Sequence, residues 1–156
     1  MQTNIGLFLA KRARLEPNKI GLIFEGREIT YKEWNERANR AANAFTGLGV
    51  KAGDRVGLLM MNSPEFLECF FALARIGAIV VPLNWRLAPP EIVFIAKDSG
   101  LSALVYGQEY AQVVASIRGD LALRAYVAVG GAPTGGDHNY ASLLANAPVE
   151  QSQPNG

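Results

Sequence analysis

Residues 63–83, SPEFLECFFALARIGAIVVPL, constrain the fold more than any other stretch of the chain. Ser63 stands where a helix N-cap would, with Pro64 at the first helical position. Glu65 falls in the first turn, where the helix dipole favours a negative charge. Phe66, Leu67, Cys69, Phe70, Phe71, Leu73 and Ile76 leave only Glu68 and Arg75 to interrupt an apolar circumference. A helix apolar on all sides is expected to be buried. Gly77 is placed to end it as a left-handed residue just past the helix. Residues 78–83 follow as a short apolar run rich in Val and Ile, the pattern of a strand covered on both faces and therefore parallel. Residues 55–61 have the same character. The three pieces predict a strand–helix–strand unit with a right-handed crossover, on which the rest of the chain packs.

The flanking segments supply the other layers. Asn4 is a candidate cap for a first helix with Ile5, Leu7, Phe8, Leu9 and Leu15 on its apolar side, stopped by Pro17. Residues 20–24 and 27–31 read as two strands joined by Glu25-Gly26, a β-hairpin. Thr30 and Glu33 form a capping-box pattern for a helix burying Trp34, Ala38, Ala41, Ala42, Phe45 and Leu48. Glu33, Glu36, Arg37 and Arg40 are expected on its wet side, with Gly47 and Gly49 at its end. A turn at 51–54 leads into the strand at Arg55. Pro89, Pro90 and Glu91 open a further helix that Gly100 ends. Strands at 102–106 and 126–129, helices at 110–117 and 140–144, a Gly-rich loop at 130–137 and a polar tail complete the order. Alternating strands and helices predict an α/β fold with a mainly parallel sheet flanked by helices, preceded by an N-terminal helix and β-hairpin.

Chemistry is sparse in these residues. Fifteen basic and fourteen acidic side chains nearly cancel, which gives no basic excess for nucleic acid or an anionic membrane. Eleven of the Lys and Arg residues fall in 1–78 and four in 79–156, interleaved with acids as on solvated helix faces. The single cysteine, Cys69, lies in the buried helix; no disulfide is possible within the chain, which suits a cytoplasmic setting, and a reactive thiol needs a more electropositive site. No apolar run reaches the roughly 18–20 residues of a membrane span, and the N-terminus does not read as a secretory signal. His138, the only histidine, reads as an exposed loop residue. Asp54 and Asp98 sit at element ends, where carboxylates serve turns. No cluster of His, Cys and carboxylates has metal-ligand spacing. The loop 130–137 reads either as a phosphate cradle or as a flexible surface loop; it lacks the endings of the known phosphate motifs, which favours the surface loop. Asn84, Trp85 and Arg86 follow a strand at its carboxyl end, where open α/β sheets bind ligands. The other reading of that segment is a loop with a packed Trp and a solvated Arg.

Four ordered stretches resemble one family. Residues 29–34, ITYKEW, resemble the "LTYxEL" segment of the AMP-forming adenylating enzymes, which include acyl- and aryl-CoA ligases, peptide-synthetase adenylation domains and beetle luciferases. Residues 50–56, VKAGDRV, resemble their "GVxxGDRV" turn and strand. Asn62, Ser63, Pro64 and Glu65, then 72–78 and 81–84, resemble the "AxxKxGAxxVPLN" core motif. Arg86, Leu87, Pro90, Glu91 and Ile92 continue the pattern towards Val105. Asn84 with Arg86 is more similar to the CoA ligases than to the peptide-synthetase branch.

The resemblance implies the N-terminal part of an enzyme with a two-step reaction. A carboxylate, fatty or aromatic, attacks the α-phosphate of ATP to give an acyl-adenylate and pyrophosphate. The thiol of CoA then takes the acyl group, with Mg²⁺ holding the phosphates. It implies no catalytic or metal-binding residue within the 156 positions, because none matches the family's phosphate loop, adenine and ribose motifs, Mg²⁺-binding glutamate or C-terminal lysine. Arg86 is the one residue it assigns to a ligand, the CoA phosphate. The chain alone is expected to be inactive and to bind none of these cofactors tightly. The implied division is 1–52, which in the family packs on a later subdomain, then 53–148 as an α/β subdomain and 149–156 as a flexible tail. Unpaired surfaces would promote self-association. The alternative is a freestanding α/β binding or interaction module without catalysis.

Overall fold

The computed structural model describes residues 7–131 and 136–150. The candidate cap Asn4, part of the loop 130–137 and most of the tail 149–156 lie outside them. Helix α1 (Phe8–Leu15) precedes a hairpin of β1 (Ile20–Phe24) and β2 (Arg27–Thr30), then α2 (Tyr31–Gly47). The hairpin turn is local chemistry: Glu25 and Gly26 both take positive φ, 49° and 78°, which matches the twist of a two-residue turn. Thr30 caps α2, its hydroxyl accepting the Glu33 N–H at 3.1 Å.

The rest is a doubly wound α/β unit. It runs β3 (Arg55–Leu59), α3 (Pro64–Arg75), β4 (Ile79–Pro82), α4 (Pro89–Ser99), β5 (Leu101–Gly107), α5 (Ala111–Ile117), β6 (Ala125–Val129), β7 (His138–Asn139) and α6 (Tyr140–Asn146). The sheet order is β4-β3-β5-β6-β7, and every pairing is parallel. Ser63 caps α3 through the Phe66 N–H at 3.1 Å, and Gly77, at φ 81°, turns the chain into β4. The mainly parallel α/β fold with an N-terminal helix and hairpin is therefore what the sequence pattern implied.

Strand alternation sends Val56, Leu58, Val105 and Val127 to one face, under α2, α3 and α6. Leu59, Leu104, Tyr106 and Ala128 go to the other, under α4 and α5. A smaller cluster of Leu9, Ile29, Trp34 and Ala38, with Leu22 and Phe71 against it, fastens α1 and the hairpin to α2 and α3.

Three expectations needed correction. Strand β4 is covered only in part: Val80 and Val81 are half-buried against the two cores, while Ile79 and Pro82 are exposed, and the strand is the sheet edge. Proline suits this place, since an edge strand can forgo one N–H. Helix α3 is not buried all round; Phe66, Leu67, Phe70 and Phe71 are half-buried. The buried residues on it include Glu68. That charge is tolerated because Arg37 donates to it at 2.6 Å and the Tyr140 hydroxyl at 3.0 Å. Arg37 and Arg40 are thus not simply wet. Arg40 reaches the carbonyls of Leu144 and Ala147, both at 3.2 Å, and ties α2 to the end of α6.

Candidate functional site

In this strand order the chain leaves β3 to β4 on one side and resumes at β5 on the other. Ligands of open α/β sheets bind outside the carboxyl ends of the strands at such a reversal. A groove of about 460 Å³ lies there. Met60, Met61 and Asn62 come from the segment after β3, Phe66 from the first turns of α3, and Pro82, Leu83, Asn84 and Trp85 from the end of β4. Most of the lining side chains are apolar, with Asn62 and Asn84 the amides among them.

The segment after β4 is held by its own side chains. Asn84 Oδ1 accepts the Arg86 N–H at 2.9 Å and closes a tight local turn. The Arg86 guanidinium then sits over the Trp85 ring, 4.9 Å from its centroid. Trp85 in turn stacks on Tyr110, with centroids 6.2 Å apart and planes 27° apart. Tyr110 follows β5, so the stacked rings link the chain ends on either side of β3. The structure thus places Arg86 exposed on a side-chain-closed turn and Trp85 stacked on Tyr110, as the reading of a loop with a packed Trp and a solvated Arg expects. Nothing in the spacing signalled the partner of Trp85, which lies 25 positions on and is reached only through sheet order.

A second polar cluster lies beyond β5 and β6. Arg118 holds Asp137 with both guanidinium arms, at 2.8 and 2.6 Å, and Tyr106 donates to Asp137 at 2.6 Å. Burial pushes the Asp137 carboxyl up, but the hydrogen bonds from Arg118 and Tyr106 outweigh it and the net shift is downward. Burial, reinforced by Asp137, pushes the Tyr106 hydroxyl up to about 12. Arg118 also lies 4.1 Å over the Tyr126 ring. Asp137 is thus engaged by Arg118 and Tyr106 and offers no free carboxylate. His138 is exposed as expected, though in the short strand β7 and not in a loop.

Cys69 is fully buried, and burial drives its thiol far above the ordinary value, which removes the thiolate that chemistry would need. Asp54 serves a turn, accepting the Lys51 N–H at 2.8 Å. Among the described residues no three His, Cys, Asp or Glu side chains are grouped to hold a metal ion. Among them, too, no helix is long and apolar enough to cross a membrane. Among the described residues the groove is lined by no carboxylate, and Arg86 follows its last lining residue, Trp85.

This geometry has relatives. Over 117 residues the chain is 44% identical to the long-chain-fatty-acid–CoA ligase FadD13 of Mycobacterium tuberculosis, an alignment covering 74% of this chain and 23% of that protein. It is 39% identical over 120 residues to a feruloyl-CoA synthase of Amycolatopsis sp, covering 77% and 24%. Among solved structures, anthranilate CoA ligase AuaEII in complex with anthranoyl-AMP superposes with a TM-score of 0.90 at 34% identity, over 95% of this chain and 29% of that one. The N-terminal domain of FACL13 from Mycobacterium tuberculosis gives 0.85 at 34% identity, over 97% and 38%. The chain spans about a quarter of the length of these curated relatives. The family model described as AMP-binding enzyme matches residues 9–154. With that match running through the hairpin, the sheet and the Arg86 turn alike, the chain belongs to the AMP-binding enzyme family.

Proposed function

We propose that this chain supplies the N-terminal α/β part of an AMP-forming acyl-CoA synthetase. Such an enzyme activates a fatty or aromatic carboxylic acid with ATP, releases pyrophosphate, and passes the acyl group from the adenylate to the thiol of CoA. The observation that carries this reading is the family match over residues 9–154, together with relatives named as CoA ligases. The groove at the ends of β3 and β4 supports it, because an apolar trough beside an arginine suits a phosphorylated thiol with a long arm. In this reading Arg86 meets a CoA phosphate. The chemistry of ATP and Mg²⁺ belongs to other parts of such an enzyme, since no position here matches the family's phosphate loop or Mg²⁺-binding glutamate. The 156 residues alone therefore catalyse neither step and hold no cofactor tightly. Residues 1–52 and 53–148 act as two packing units, the first of them presented to a later subdomain, with 149–156 a tail. A reducing cytoplasm suits its buried thiol.

The test is a graft. Replacing the equivalent N-terminal residues of FadD13 with this chain is expected to preserve acid-dependent ATP–pyrophosphate exchange and thioester formation. The chain alone is expected to show neither with short, long or aromatic acids. A folded graft without exchange overturns the ligase reading, and exchange by the chain alone overturns the placement of the ATP chemistry.

A further inference from the structure

We infer that Trp85, braced by Tyr110, is a positioning residue that sets the Arg86 guanidinium for a phosphate at the rim of the groove. The inference rests on the ligase reading for the identity of that phosphate as part of CoA, but not for the geometry. Arg86 is an exposed side chain, and among the described residues its guanidinium makes no hydrogen bond and no ion pair. An exposed arginine normally spreads over many rotamers and loses that freedom when it binds. Here three contacts remove much of it beforehand. The Asn84 side chain fixes the Arg86 backbone at 2.9 Å. The Trp85 ring lies 4.9 Å beneath the guanidinium. Tyr110 stacks on Trp85 and keeps that ring, itself 40% exposed, from swinging away. A cation held over a ring uses none of its five N–H donors, so all remain for a phosphate. The ladder also joins the segment after β4 to the segment after β5, so the arginine is mounted across the reversal of the strand order and not on a free loop.

The experiment is an NMR titration of the chain with adenosine 3′,5′-bisphosphate to millimolar concentration, with adenosine as the phosphate-free control. The wild-type chain is expected to bind the bisphosphate weakly, moving the Trp85 indole and Arg86 Nε–H signals, and adenosine to leave Arg86 unmoved. Arg86→Gln is expected to abolish the response. Trp85→Leu, which keeps the arginine and its charge, is expected to weaken binding roughly two- to fivefold, the range of an exposed cation–π contact. Trp85→Phe, which keeps a ring under the cation, is expected to restore most of the affinity, and Tyr110→Phe, which keeps the stack, to leave it unchanged. Equal affinity in Trp85→Leu, or no wild-type response, overturns the inference. The graft separates this from the ligase reading. Thioester formation with a CoA KM indifferent to Trp85→Leu sinks the positioning role alone, and absence of exchange sinks the reading while the titration still stands.

Discussion

At the scale of single residues, the ion pair of half-buried Arg37 with buried Glu68 carries a pH dependence. Burial lifts the Glu68 carboxyl, and the hydrogen bond from Arg37 offsets only part of that, so its net shift is upward. A carboxyl raised in the folded state lends stability that is fully present below the ordinary value of about 4.3 and is lost as pH rises through the folded value. Arg37→Met removes the largest influence holding the carboxyl down and widens this window upward. The variant is expected to lose about 3 kcal/mol or more at pH 8, where an unpaired carboxylate would be buried, and clearly less at pH 5. Adding Glu68→Gln should flatten that difference. Urea midpoints at the two pH values check this, and an equal deficit at both would refute it. The pair also shows where a sequence stops being readable. Glu68 looked like a break in an apolar helix and Arg37 like a wet residue, because 31 positions separate them and only the packing of α2 on α3 brings them together.

At the scale of elements, most of the fold was legible because its signals are local. Ser63 and Thr30 act as caps, Glu25-Gly26 turns the hairpin, and Gly77 closes α3, each through chemistry confined to a few neighbours. Strand β4 was read as a parallel strand, which it is, but its place at the edge was not legible, since an apolar run does not report which strand stands beside it. Arg86 was legible as the residue after a strand; the Trp85–Tyr110 stack was not. The interior strand β3 carries a constraint of the same non-local kind. A Cβ on Gly57 would stand 2.8 Å from Leu101 Cδ1, 3.1 Å from Leu104 Cδ1 and 3.2 Å from Leu83 Cδ1. Three leucines, two from β5 and one from the end of β4, meet over that missing side chain, so they cannot all retreat together. Gly57→Ala is expected to cost about 1–3 kcal/mol by overpacking, although alanine suits a strand no worse than glycine. Thermal unfolding reads this directly, and an unchanged or raised midpoint would mean that the leucines give way freely.

At the scale of the whole molecule, the sheet is closed unevenly. One flank is finished by short β7 and α6, while the other ends in β4 with nothing paired to its outer edge among the described residues. Natural edges are usually blunted by charge, bulges or proline. Here only Pro82 does so, and no Lys, Arg, Asp or Glu lies between Ile79 and Asn84. Ile79 is 45% exposed on the edge itself, and Met61 and Trp85 are exposed near its carboxyl end. A free row of backbone donors and acceptors beside apolar side chains promotes pairing with another chain. The chain is therefore expected to self-associate, its mass by light scattering rising above 16.8 kDa as concentration increases. Ile79→Lys places a charge on the edge without touching either buried core, so it should restore the monomer with an unchanged far-ultraviolet spectrum. A wild-type chain that stays monomeric at high concentration would show that the short strand, with one N–H already lost to Pro82, is blunt enough on its own.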